Sequence, residues 1–363
     1  MSKKRDDKRT AKKILYVIQN GKDAQFRYRV KNTAEALGSL GWSSEWTRIR
    51  SADKKNLDEF DLVVVVRQTD KDGNIRSFIN KAHRAGKKVV FDLDDLVFDY
   101  KNIRVLMKGT NSKNFFYWMG YIWGVRRIAK KVDGFICTNQ FLAKKLERCF
   151  KKPVKVVRNS LNQRQIEVSD ENVKNKTICK NSDKWFRIGY FSGSPTHAKD
   201  FAMVEPELIR FLEKHENTKL RVVGYMVFSS RMQELIDAGW VELGGVANYL
   251  RLQKLIAEVD VNIAPLVIND FTNCKSELKF FEAAAVETTT IASPTYAFRN
   301  AIKDGENGFL AKSGEWYDKL EYLYNHPDEN QKIAKCAKTY ALKHYYGKEF
   351  VKEVEEAYGY FAK

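Results

Sequence analysis

Residues 186–201, FRIGYFSGSPTHAKDF, read as a short apolar strand, a loop of small residues and the start of a helix. The same unit occurs near the beginning of the chain, where KILYVIQ from Lys13 is a strand, NGKDAQ a loop and FRYRVKNTAEALGSLG a helix ending at Gly41. A short run that is apolar throughout and leads into a helix reads as a buried parallel strand. Beyond the earlier unit lie apolar runs at 62–66 (LVVVV), 88–93 (KVVFDL), 134–138 (GFICT) and 154–158 (VKVVR), with helical stretches such as 76–85 between them. Beyond the later unit lie LRVVGY (220–225), WVELGG (240–245), VDVNIAPL (259–266) and TTIAS (289–293). A cycle that restarts in this way predicts two α/β domains, each a doubly wound parallel sheet of Rossmann-like type.

The boundaries follow from composition. A basic tail occupies 1–12, the N-terminal domain 13–163, and a polar linker without apolar periodicity 164–185. The second domain runs over 186–340, and the helical stretch after Pro327 ends in a C-terminal helix at 341–363 that has the option of packing back on the first domain.

With 363 residues, 44% hydrophobic and 13% aromatic, the chain is long and apolar enough for two cores and is not a disordered protein. No run of eighteen apolar residues appears, and the start MSKKRDDKRTAKK has no apolar stretch behind its charges, so a cytoplasmic protein is expected. The five cysteines (Cys137, Cys149, Cys179, Cys274, Cys336) are odd in number and scattered, which argues against a disulfide framework and a structural zinc site. Residues 1–163 carry 37 Lys and Arg against 17 Asp and Glu, a net +20, whereas the remainder carries 27 against 29, a net −2. The first half therefore faces an anionic partner: nucleic acid, an anionic membrane or a phosphorylated acceptor.

In open parallel sheets, ligands sit beyond the carboxyl ends of the strands, where helix N-termini favour phosphate. The loop 192–200 suits this: Gly193 and Ser194 leave room, and His197 and Lys199 supply positive charge. An ordinary strand-to-helix turn capped by Ser or Thr fits the same residues. A second constellation, 273–285 (NCKSELKFFEAAA), places Lys275, Glu277, Lys279 and Glu282 in a stretch that otherwise looks buried. A carboxylate one turn inside a helix, pointing back along it, is placed to accept ribose hydroxyls while the helix start holds a diphosphate. A solvated helix face remains the alternative.

The segments IGYFSGSPTHAKDF, KSELKFFEAAA, TIASP and AIKDGENGFLA, in that order and spacing, resemble glycosyltransferase family 4 over nearly the whole chain. The resemblance implies the GT-B fold, two Rossmann-like domains facing a cleft, and metal-free transfer of a sugar from a nucleoside-diphosphate sugar with retention of anomeric configuration. It needs no cofactor beyond that co-substrate. The subgroup it is similar to builds bacterial cell-surface polysaccharides, rhamnosyltransferases among them, often on lipid-linked acceptors. By position, Glu282 matches the second glutamate of the family's Glu-x7-Glu motif, expected on the nucleotide ribose, while the first glutamate falls on Cys274. Lys275, Ser276 and Glu277 are then candidates for the missing sugar and phosphate contacts. Gly193, Ser194, His197 and Lys199 fall around the donor diphosphate, and Glu287 stands where the family has glycine before a strand.

From the N-terminal domain the resemblance expects an acceptor face and a polar group near the anomeric carbon, with Asp92 or Asp94 of FDLDD (91–95) as candidates. A metal site built on these aspartates is not expected. Arg27 and Arg29 match the family's YR-containing helix start and, with Arg67 at the end of LVVVV, are candidates for acceptor or phosphate binding; Asn139 and Asn159 end strands at the interdomain edge. Residues 113–131, KNFFYWMGYIWGVRRIAKK, join Trp118 and Trp123 to Arg126 and Arg127 in a pattern suited to a helix lying at an anionic membrane surface. A core helix with a snorkelling basic end fits as well. The expectation is thus an enzyme that is cytoplasmic and peripheral on the inner face of the plasma membrane. A non-catalytic partner subunit, suggested by Cys274 and Glu287, and a nucleic-acid-binding protein are the competing readings.

Overall fold

The computed structural model describes residues 11–19, 21, 24–109, 114–179, 185–193 and 198–363. Among them the N-terminal sheet comprises β1 (Lys13–Ile18), β2 (Ser43–Arg48), β3 (Leu62–Val66), β4 (Lys88–Leu93), β5 (Gly134–Cys137) and β6 (Val154–Val156), all parallel, in the order β2-β1-β3-β4-β5-β6. The C-terminal sheet comprises β7 (Phe186–Ser192), β8 (Thr218–Gly224), β9 (Val241–Gly244), β10 (Val261–Ala264), β11 (Thr289–Ala292) and β12 (Phe309–Leu310), also parallel. Read from β9, its order is β9-β8-β7-β10-β11-β12, the arrangement of a dinucleotide-binding fold. Strand order reverses between β7 and β10, and the two strands lead out of that crevice at Ser192 and Ala264.

Position in the sheet explains composition. β3, flanked by β1 and β4, is buried at every residue, hence Leu-Val-Val-Val-Val. β2 (SSEWTR) is an edge strand with a single buried residue, so it shows no apolar run in the sequence. The polar linker is largely a helix, Gln163–Cys179, whose start is capped by Asn162, with the side-chain oxygen accepting from the Gln165 backbone at 2.8 Å. It lacks apolar periodicity because part of its buried face is polar: Gln165 and Ser169 are buried, and Gln253 donates to Ser169 Oγ at 2.8 Å.

The chain ends in two helices, Pro327–Tyr345 and Lys348–Phe361. The first stacks Tyr345 on Phe281 of the helix Leu278–Ala285, with ring centres 4.6 Å apart. The last buries Phe350, Val354, Ala357, Tyr358 and Phe361 in one apolar cluster with Ile14, Tyr16 and Leu37. The end of the chain thereby completes the core of the domain that its beginning starts. Glu287, in the turn before β11, adopts a left-handed φ of 51°. The turn that glycine would favour is preserved, and Glu287 adds an ion pair with Lys338 Nζ at 3.3 Å.

Candidate functional site

At the β7 end of the crevice Gly193 is exposed, and a Cβ added there would meet no atom of the described residues within 4 Å. Lys199 is exposed in the first turn of the helix Ala198–Lys214. Asp200 ties that helix to the loop after β10, its Oδ1 accepting from the Val267 backbone at 2.8 Å. Ser194 and His197 lie outside the described residues.

The helix Leu278–Ala285 carries Glu282 into the junction between the domains. Glu282 is buried and its Oε1 accepts from the Tyr28 hydroxyl, lies 3.6 Å from Arg27 Nη2 and accepts from Gln165 Nε2 at 3.5 Å. Arg27 is held between two rings, 4.2 Å from the centre of Tyr28 and 4.4 Å from that of Tyr249, and its Nη1 is buried without a hydrogen-bond partner. Arg27 and Glu282, 255 positions apart in the chain, are therefore one cluster that both domains build.

The segment before that helix is turned towards the N-terminal domain. Cys274 has no solvent exposure and, with Phe271, belongs to that domain's apolar core; burial pushes its thiol pKa up. The residue at the place of the first motif glutamate is an anchor and does not face an open pocket. Asn139 donates to the carbonyls of Asn273 at 3.3 Å and Lys275 at 3.1 Å, and Asn159 donates to Ser276 Oγ at 3.1 Å. Both asparagines follow strand ends, β5 and β6, as the sequence suggests. Glu277 is buried and accepts from the Tyr345 hydroxyl at 2.7 Å; burial raises its carboxyl above the ordinary 4.5.

On the N-terminal side the structure corrects the reading of two residues. Arg29 and Asp92 have no exposure and pair with each other, Arg29 also donating to the Val157 carbonyl at 2.7 Å and to Asn159 at 3.1 Å. Both ends are consumed inside the domain, so Asp92 does not approach a sugar and Arg29 does not bind phosphate. Asp94 is the better placed carboxylate, partly exposed, accepting from Gln25 at 3.0 Å and lying 3.2 Å from Arg67 Nε. Arg67 also donates to Asp95, which pairs across the cleft with Lys275 Nζ at 3.6 Å. Lys275 and Arg67 outweigh burial and hold Asp95 below the usual carboxylate range. Among the described residues no three His, Cys, Asp or Glu side chains gather as a metal-binding group.

The helix Phe115–Lys131 is divided between two roles. Trp118 is buried, and Arg126 turns inward to donate to the Phe98 carbonyl at 3.0 Å, which corrects their reading as surface contacts. Phe115, Phe116, Tyr117, Met119 and Trp123 are exposed, and Arg127 lies over the Trp123 ring at 4.1 Å.

Two facing six-stranded Rossmann-like domains with a C-terminal helical return define the GT-B class of glycosyltransferase folds. Solved structures of that class superimpose over nearly the whole chain: Anabaena HepE in complex with UDP and glucose (TM-score 0.65, 15% identity, 96% of this chain and 100% of that one) and Thermosynechococcus elongatus sucrose-phosphate synthase (TM-score 0.67, 12% identity, 96% and 98%). WaaG, a glycosyltransferase involved in lipopolysaccharide biosynthesis, matches with TM-score 0.63 and 12% identity over 96% and 99% of the two chains. Residues 187–326 match the family described as Glycosyl transferases group 1. The chain thus has the fold of that class, and its C-terminal domain is similar to the group 1 glycosyltransferases. A comparison with curated protein sequences finds no match.

Sequence reasoning named Glu282, Arg27, Arg67 and Lys275 but missed what joins them. Tyr28 and Gln165 contact Glu282 from the π-helical turn Arg27–Lys31 and the linker helix, and Tyr345 reaches Glu277 from the far end of the chain. Only the fold brings these together.

Proposed function

We propose that this chain transfers a sugar, with retention of configuration and without a metal ion, from a nucleoside-diphosphate sugar held by the C-terminal domain to a saccharide or lipid-linked acceptor presented by the N-terminal domain. The observation that carries the reading is the position of Glu282: buried in the interdomain junction, on a helix beside the β7–β10 crevice, inside the segment that matches the group 1 family. HepE, which shares the fold, binds UDP and glucose. In this reading Glu282 takes the ribose, Gly193 and Lys199 border the diphosphate, and Asp94 and Glu277 are the carboxylates nearest the transferred sugar. A developing oxocarbenium ion is stabilised by such carboxylates, and the leaving diphosphate by cations and helix N-termini.

The exposed aromatic face of the helix Phe115–Lys131, with the +20 charge of the first 163 residues, fits an anionic lipid surface. The described residues contain no helix long and apolar enough to cross a membrane. We therefore place the enzyme on the inner face of the plasma membrane, at cell-surface polysaccharide synthesis.

A thermal-shift screen of UDP-, GDP- and dTDP-sugars tests the donor, because a ligand that binds the folded state raises Tm with the logarithm of its concentration. One sugar nucleotide is expected to stabilise the chain and to be hydrolysed or transferred, with loss of turnover in Glu282→Ala. A second reading, a non-catalytic partner subunit, is favoured by the anchoring of Cys274 in the N-terminal core. Donor binding without turnover under any acceptor would support that reading.

A further inference from the structure

Lys279 is the second residue of the helix Leu278–Ala285. Its Nζ is the single lysine nitrogen among the described residues that is buried without a hydrogen-bond partner. The nearest ring is Tyr190 of β7, whose centre lies 4.7 Å away. Burial lowers its pKa to about 8; Asp200 and Glu282 act against that effect and Lys275 adds to it. No carboxylate of the described residues stands in ion-pair contact with it.

A buried ammonium without a counter-ion in contact destabilises a fold, and a single aromatic face does not replace the three hydrogen bonds the group can donate. The place it occupies gives the arrangement a use. Asn262 of β10 donates to the Lys279 carbonyl at 3.2 Å, and Tyr190 belongs to β7, so the ammonium sits between the two strands where their order reverses. Open parallel sheets bind phosphate-bearing ligands at that point, and among the described residues no atom approaches within 4 Å of where a Gly193 Cβ would stand. Lys199, the other cation there, is exposed and has a weaker hold on an anion.

We infer that Lys279 binds the diphosphate of the nucleotide donor, reaching it from the helix side of the crevice. This rests on the donor reading given above. An anion in contact raises the lysine's pKa, so binding favours the protonated form: affinity is full below about pH 8 and falls as pH rises through that value.

Calorimetric titration of the full chain with UDP, GDP and dTDP, and with the matching nucleosides, separates the two claims. Wild-type protein that binds none of the diphosphates removes the donor reading, and this inference with it. Where one diphosphate binds, Lys279→Met is expected to weaken it by about tenfold or more while leaving the nucleoside unchanged. The free variant is expected to melt higher than wild type, since an unpaired charge has been removed. Diphosphate affinity within twofold of wild type overturns the inference and leaves the donor reading standing. Should the variant fail to fold, wild-type protein still decides: in buffers of different ionisation heat across about pH 7 to 10, binding is expected to take up protons where the free lysine titrates, and no uptake anywhere in that range overturns the assignment.

Discussion

Arg29 Nε lies 2.8 Å from Asp92 Oδ1 and Arg29 Nη2 2.9 Å from Asp92 Oδ2, a fork-to-fork pair with neither side chain exposed. Removing one member strands the other charge in the interior. Arg29→Met is therefore expected to cost about 3–5 kcal/mol of stability. The double variant Arg29→Met, Asp92→Leu should recover much of that loss, as read from urea denaturation midpoints. A single variant as stable as wild type would show that the pair is not buried in solution.

Glu277 has the opposite signature. Its folded pKa is raised above 4.5 by burial, so the folded state binds more protons than the unfolded one between those values, and stability falls as pH rises through that window. Glu277→Gln keeps an acceptor for Tyr345 and removes the penalty. Its Tm should exceed that of wild type at pH 7 and meet it below pH 4.5. A Tm gap that persists at low pH would contradict the mechanism. Loss of transfer in the same variant would place the carboxylate at the sugar.

At Glu287, φ of 51° is a left-handed conformation that costs an ordinary residue about 1–2 kcal/mol. The ion pair with Lys338 returns about 0–1 kcal/mol. Glu287→Gly is expected to fall within about 1 kcal/mol of wild type, whereas Glu287→Val should be clearly destabilised because a β-branched residue fits this region worst. Equal stability of the two variants would contradict the backbone geometry.

Phe116 and Trp123 are exposed on one helix whose Trp118 is buried. Phe116→Ser with Trp123→Ser should reduce sedimentation with vesicles rich in anionic lipid without lowering Tm, whereas Trp118→Ala should lower Tm by removing core packing. Unchanged vesicle binding in the double variant would remove the membrane proposal.

The two-domain architecture was legible because β1, β3, β4 and β7 are buried along most of their length, and burial on both faces writes itself as an unbroken apolar run. Edge strands such as β2 and the two-residue β12 carry no such mark. For the site, strand-end position pointed to Asn139, Asn159 and Arg67, whose side chains do meet the interdomain edge or the cleft carboxylates, but it did not distinguish Asp92 from Asp94, two residues apart. Alternation cannot separate them, since residues two apart share a face; what does is the strand end, Asp92 lying within β4 and paired with the buried Arg29, Asp94 beyond Leu93 and paired with Arg67 at the cleft edge. The partners of Glu282 and Glu277 depend on chain crossings that no local pattern encodes.

The last helix, Lys348–Phe361, lies in the core that begins at Ile14. During synthesis this makes the N-terminal domain the last to be finished. Its sheet can form while the ribosome is still translating, but one apolar side stays uncovered until the distal helix emerges, after the whole C-terminal domain has been made. The nascent chain thus carries an open hydrophobic surface while the residues between the two parts of this core are made, and emergence of the helix Lys348–Phe361 is what closes it.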